Sequence, residues 1–318
     1  MYTSNRVEPF KRPDRATAPV KTSLGELELQ CPPLPQTLLQ AVDLMYRPDG
    51  PELDEVIKMV QHDPGVVARL LRVVNSAYYG QRGDIQSVQR AVVILGTITV
   101  TGIVMSMSLQ DVRASLNDKT ALPFLNLVRH SIATAYLARH LLANNPKGDV
   151  DQEVLGGVYT GALLHDFGKL VLLYNYPEVA ANFYTKSHRD LPPDSTFLKE
   201  ERNLFGYDHV ETGVYLCRRL HFPEPLTTSV ALHHRHVSLG DEDIKMKQLV
   251  YAVSAANKAA SALGFGFNKE ITWDACQEDS VWDQLIDEQV VGYPTREALL
   301  ETMMTAQEEM TTYVDLVI

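Results

Sequence analysis

The chain has little that could staple it, anchor it or give it a strong positive charge. Its three cysteines, Cys31, Cys217 and Cys276, are too far apart in sequence for a disulfide framework or a Cys-based zinc site. No apolar run is both long enough and free enough of charge to span a bilayer. The first residues lack the apolar core of a signal peptide, so the cytoplasm is the expected compartment. Lys and Arg number 29 against 40 Asp and Glu, for a net charge of −11. That balance argues against a nucleic-acid binder that works by neutralising phosphates. There is no internal repeat of fixed period and no convincing strand pattern. What is present is ordinary for a soluble globular protein: 45% hydrophobic and 22% charged residues in a chain of 318, enough for two modest domains or one large one.

Residues 1–30 read as a disordered or extended tail, with Arg6, Lys11, Arg12, Arg15 and Lys21 mixed among Pro13 and Pro19. A succession of short, well-punctuated helices follows. Leu38, Val42 and Met45 form one face of a helix over 37–46, and Pro51 is placed to open the next, over 52–61. Asp63-Pro64 supplies an N-cap and a first-position proline for a helix that Gly80 stops. Ser87 caps another helix, Gly96 ends it, and Thr97 is placed to cap one running to Leu109. A helix-turn-helix over 88–109 is disfavoured because its second helix carries no Lys or Arg; a core hairpin is the better reading. The polar, proline-ended stretch 111–122 reads as a boundary. The expected division is an N-terminal helical subdomain over 31–118, a second helical subdomain over 119–265 and a C-terminal helical extension over 266–318.

The second subdomain opens on a helix over 124–143 that is apolar on most of its circumference and carries His130. A long apolar segment, 154–176, is interrupted near Gly168 and holds an adjacent His165-Asp166. A buried carboxylate is costly unless it is paired, hydrogen-bonded or bound to a metal, so this pair demands partners. Asp208 and Glu211 have capping-box spacing and put His209 in the first turn of a helix. Pro223 and Pro225 open a helix expected to carry His233, His234 and His236; the next, over 244–263, carries Asn257 and is closed by Gly264 and Gly266. In the extension, a short helix is expected near 279–290 and a single longer one after Thr295, bearing Leu299, Leu300, Met303 and Met304. Imidazole and carboxylate suit iron, manganese, zinc or a similar divalent ion, which makes His130, His165, Asp166, His209, His233 and His234 the candidate metal ligands. Taken singly, each histidine is more often a packed residue than a ligand, and His165-Asp166 could be a buried structural pair. His140, His188, His221 and His236 fit no pattern.

The order His130, then His165-Asp166 within His-Asp-Phe-Gly-Lys, resembles the HD superfamily of helical metal-dependent phosphohydrolases. That family's late Asp corresponds here to Asn257, a weaker ligand, so the resemblance is to a degenerate HD-type domain. The span 32–263 is more specifically similar to the HDOD domain, through Pro33-Leu34-Pro35, Asp63-Pro64, Asn75-Ser76-Ala77-Tyr78-Tyr79-Gly80, Ile85, Ser87, Ala91, Leu95-Gly96 and His130-Ser131. Glu201, Phe205-Gly206, Asp208-His209, Gly213 and His233-His234 continue the pattern; a Trp common in that family just before the Pro near 223 is Leu220 here. Gly292-Tyr293-Pro294 invites comparison with the HD-GYP cyclic di-GMP phosphodiesterases. It falls near the C-terminus rather than closely after the His pair, which is followed by Arg235 instead of Glu.

The resemblance implies an all-α fold, with the N-terminal subdomain packed on the HD-type one. It also implies a non-enzymatic bacterial signalling module that binds a protein partner, with a metal or nucleotide ligand as a further expectation. The alternative is a metal-dependent phosphohydrolase acting on a nucleotide or cyclic dinucleotide, in which His165, Asp166 and Lys169 would be the catalytic candidates. A plain helical scaffold is the third reading. No membrane or nucleic-acid partner is expected, and the C-terminal helices are a candidate surface for homo-oligomers.

Overall fold

The computed structural model describes residues 29–80, 85–148, 150–185, 196–235, 239, 242–266 and 272–318; the expected tail over 1–28, Pro192-Pro193, His188 and His236 lie outside them. Among the described residues the fold is all-α, with no strand. The first five helices are α1 (Gln36–Met45), α2 (Leu53–Gln61), α3 (Pro64–Val74), α4 (Val88–Leu95) and α5 (Thr97–Asp111). Next come α6 (Ala121–Ala143), α7 (Gln152–Leu164), α8 (Phe167–Asn175), α9 (Pro177–Tyr184), α10 (Phe197–Phe205), α11 (His209–Arg219), α12 (Glu224–Leu232) and α13 (Ile244–Ala260). The chain ends with α14 (Trp273–Gln277), α15 (Val281–Asp287), α16 (Arg296–Thr305) and α17 (Gln307–Val317).

Local chemistry sets the boundaries. Asp63 accepts from the Gly65 and Val66 amides and so caps α3; Ser87 caps α4 through the Arg90 amide. Gly96 has φ +83 and itself stands as the residue between α4 and α5, so Thr97 is the first helical residue rather than the cap. Pro51 lies one residue before the Glu52 that opens α2. Within the 111–122 stretch two 3₁₀ turns, Val112–Ser115 and Asp118–Thr120, run straight into α6, which starts three residues before Phe124 and takes Pro123 in its first turn, where a missing amide costs nothing.

The core is built around α6, α7 and α13, each packed on the other two, with α5 and α1 lying against α7. Helix α5 is buried from Val100 to Leu109, and that stretch carries no charged side chain. No single described helix is long and apolar enough to cross a membrane; α4 with α5 would pass on composition only as a pair bent by 118°. Tyr46 donates to the Gly157 carbonyl at 3.1 Å, tying α1 to α7. The extension packs back on the same core. The single helix expected after Thr295 is two, α16 capped by Thr295 and α17, and both lie on α6. Leu299, Leu300 and Met303 are buried within the chain, while Met304 is 49% exposed. Gly292-Tyr293 has a structural role: the Tyr293 hydroxyl donates to the carbonyls of Leu141 and Asn144, and the Gly292 amide donates to Asn145 Oδ1 at 2.6 Å, fastening the extension to the end of α6.

Candidate metal centre

The apolar segment that carries His165-Asp166 breaks at that pair, not at Gly168: α7 ends at Leu164, and α8 begins at Phe167. Gly168 sits inside α8 for another reason. A Cβ there would lie 1.7 Å from the His209 carbonyl oxygen, and one on Gly213 would lie 2.7 Å from Val230 Cγ1. The missing side chains let α8 and α11 cross at backbone distance, and this crossing brings His209 to Asp166. The start of α11 is held by the capping box, with Asp208 accepting from the Glu211 amide and Glu211 from the Asp208 amide, each at 2.9 Å. His233 and His234 are not within α12. They form the turn after it, and Ser254 of α13 holds that turn by donating to the His233 carbonyl.

The five candidate histidines meet around the sixth candidate, Asp166. Its Oδ1 lies 3.3 Å from His209 Nε2 and 3.6 Å from His233 Nε2; its Oδ2 lies 3.4 Å from His165 Nε2 and 3.7 Å from His130 Nε2. His234 Nε2 is 3.1 Å from His209 Nε2. Two overlapping groups have the spacing to hold an ion, His130 with His165 and Asp166, and Asp166 with His209, His233 and His234. Lys169, one turn on, donates to Asp166 Oδ2 at 2.6 Å. Asn257, the counterpart of the family pattern's late Asp, is buried on α13.

The other ring nitrogens fix the tautomers. Nδ1 of His130 faces the Phe265 carbonyl at 3.0 Å, that of His165 the Ala162 carbonyl at 2.7 Å, and that of His233 the Val230 carbonyl at 2.8 Å. A carbonyl only accepts, so each Nδ1 carries the proton, and in a neutral ring Nε2 is left bare. Burial holds His130 down to about 3, helped by the neighbouring His165, and holds His233 down to about 4. Burial also keeps His234 well below the usual histidine range. The Nε2 atoms face one another, at 3.3 Å for His130 and His165 and 3.4 Å for His209 and His233. Asp166 remains ionised: burial opposes its charge, but Lys169 and His165 hold it well below the usual carboxylate range. Its Oδ1 is buried and accepts no hydrogen bond from the described residues. Converging lone pairs, an ionised carboxylate and an orphaned buried oxygen are what a divalent cation would satisfy, so the donor set fits a metal.

Glu201 was not among the candidate ligands. It is fully buried on α10 and accepts from His209 Nδ1 at 2.6 Å, from the His209 amide at 2.8 Å and from the Tyr184 hydroxyl at 2.7 Å. A carboxylate behind a ligating imidazole fixes the ring and raises its basicity. Nothing in the charged stretch 199–202 distinguishes it; only its place in the family pattern pointed to it.

Comparison with known proteins agrees with this architecture. The model of the HDOD domain matches residues 31–236. A protein of Treponema pallidum (strain Nichols) is 26% identical over 242 residues, covering 76% of this chain; the chain spans 44% of that protein's length. The crystal structure of an HDOD domain protein of unknown function from Geobacter sulfurreducens superposes with a TM-score of 0.71 at 20% identity, covering 91% of this chain and 94% of that one. A protein from Shewanella amazonensis SB2B, named as a candidate phosphohydrolase, gives 0.64 at 20% identity over 93% and 96% of the two chains. At these identities the structures speak for the fold alone. With the domain model covering most of the chain, this protein belongs to the HDOD domain family.

Proposed function

We propose that the chain is a non-enzymatic signal-transduction module of the cytoplasm that acts through a protein partner, with a divalent ion held by the His/Asp cluster as a fixed part of its core. Iron, manganese and zinc all suit the donors. The observation that carries this reading is burial. His130, His165, Asp166, His209 and His233 are each at most 2% exposed, and only His234 reaches partial exposure. A catalytic metal needs an open position that substrate can reach, whereas a structural one is closed by protein ligands. Two further features point the same way. Lys169, which could have gripped a phosphate, is turned onto Asp166. Asn257 in place of a carboxylate leaves less negative charge to offset a second ion.

The alternative is a phosphohydrolase, and the complete set of five histidines around Asp166 favours it. A bound ion would then polarise a phosphate and lower the pKa of water. Elemental analysis of chelator-free protein, followed by assays on cyclic di-GMP and on simple nucleotides, separates the two. Stoichiometric metal with no turnover is the expected result. Metal-dependent hydrolysis abolished by His165→Ala would replace this reading with the enzyme.

A further inference from the structure

A second enclosure, of about 220 Å³, lies where helices from the start, middle and end of the chain meet. It is lined by Tyr78 and Tyr79 from the turn after α3, Tyr136 and Arg139 of α6, Tyr159 of α7 and Tyr313 of α17. None of these belongs to the metal centre. Tyr78 and Tyr79 lie in the Asn-Ser-Ala-Tyr-Tyr-Gly motif, to which the metal centre assigns no role.

Arg139 is the unusual member. Its Nη2 donates to Thr99 Oγ1 at 3.3 Å, its Nε is buried without an acceptor, and it forms no ion pair among the described residues. Other arginines are matched: Arg69 takes Asp111 with two parallel bonds, and Arg129 takes Asp315. A half-buried guanidinium with donors to spare is suited to an anion, which it grips in a fixed fork.

The tyrosine hydroxyls are largely occupied by one another and by their surroundings. Tyr159 meets Ser106 Oγ at 2.7 Å and the Tyr313 hydroxyl at 3.0 Å, and Tyr136 donates to the exposed Glu309 at 2.9 Å. What they offer inward is therefore ring surface. Tyr313 lies 5.4 Å from Tyr136 and 5.9 Å from Tyr78, both tilted, spacings at which aromatic groups attract. The volume falls below the roughly 300–1,000 Å³ of sites that enclose drug-sized ligands, which favours a ligand smaller than a dinucleotide.

We propose that this cavity binds a small planar aromatic anion, one ring system carrying a phosphate or a carboxylate, with the anionic group on Arg139 and the ring among Tyr78, Tyr136 and Tyr313. Because α5, α6, α7 and α17 all border it, such a ligand ties the C-terminal helix to the rest of the molecule, as the input of a signalling module would. The proposal does not depend on the metal centre.

Calorimetric titration of the full chain tests it. The probes are AMP for the phosphate class and indole-3-acetate for the carboxylate class, with adenosine, inorganic phosphate and cyclic di-GMP as comparators. One of the first two is expected to bind at least tenfold more tightly than each comparator, and which one binds names the source of the anion. Arg139→Gln is expected to weaken it tenfold or more, with Arg139→Lys intermediate. Should Arg139→Gln fail to fold, Tyr78→Leu gives the same reading through the ring contact. Binding of neither probe at millimolar concentration overturns the proposal. So does binding that is indifferent to a folded Arg139→Gln or Tyr78→Leu variant, or binding lost on chelation, which would assign it to the His/Asp cluster.

Discussion

A carboxylate in the position just before a helix ordinarily turns back to cap it. Asp166 occupies that position before α8 but makes no side-chain cap bond; its oxygens point at the histidines instead. The forgone cap, worth about 1 kcal/mol, is a measure of how strongly the cluster claims the residue. Two readings of Asp166 separate by chelation. If it holds an ion, chelator lowers the thermal midpoint of wild type and leaves Asp166→Ala unchanged, through lost ligand linkage. If it is only the ionic partner of Lys169, chelator does nothing and the substitution costs about 3–5 kcal/mol by stranding a buried charge. The first outcome is expected.

Acid supplies a second check at the same scale. With His130 held near 3 and His233 near 4, the unfolded chain, whose histidines titrate near 6.5, binds protons that the folded chain refuses. The stability that depends on neutral rings is complete above about pH 6.5 and drains away as pH falls toward these folded values. The slope is at most about 1.4 kcal/mol per pH unit for each ring. Denaturant unfolding of chelated protein should lose stability steadily between about pH 7 and about pH 5. A flat profile would mean that the rings are not held neutral.

At the scale of elements, the crossing of α8 and α11 is the joint that assembles the centre. Gly168→Ala puts a methyl into the His209 carbonyl, and neither backbone can withdraw without separating His209 from Asp166. A loss of about 3 kcal/mol, the upper end of overpacking costs, is expected together with loss of bound metal. Wild-type metal content in a folded Gly168→Ala variant would show that the crossing does not position the site.

This scale also shows what could be read from the chain beforehand. The caps at Asp63, Ser87 and Asp208 were legible because each is a local bargain between one side chain and amides two or three residues on. The interruption near Gly168 was legible, but not its position at His165-Asp166, since a glycine needed for a distant helix looks the same as one that ends its own. The division of α16 from α17 falls at Ala306, a good helix former, and was invisible for that reason. Glu201 is paired with His209 of another helix, and Arg139 shares its cavity with Tyr159 and Tyr313 of two others. No spacing along the chain encodes either contact.

At the scale of the whole molecule, α16 and α17 are docked on α6 rather than carried as a separate unit. Met310 is fully buried, and its replacement by Ala should cost about 2–5 kcal/mol. In chelated protein that loss should appear as a shift of one cooperative transition seen by all helices together. Melting of a minor fraction of the helix signal, with the rest unmoved, would instead make the extension an independent unit.

Helix α17 carries a further consequence, in the order of assembly. Gln110 of α5 donates to the Val317 carbonyl at 2.7 Å across 207 residues of sequence, and Tyr313 closes one side of the tyrosine cavity. Contacts so distant form only after the long loop between them has been gathered in, and their loop-closure entropy makes them late. Helices α5, α6 and α7 can find one another while the last wall is still absent. On this ordering Arg139 and Tyr159 are expected on their helices before α17 closes the cavity. A ligand present at that moment would meet the site before it is complete, and could be enclosed by folding itself.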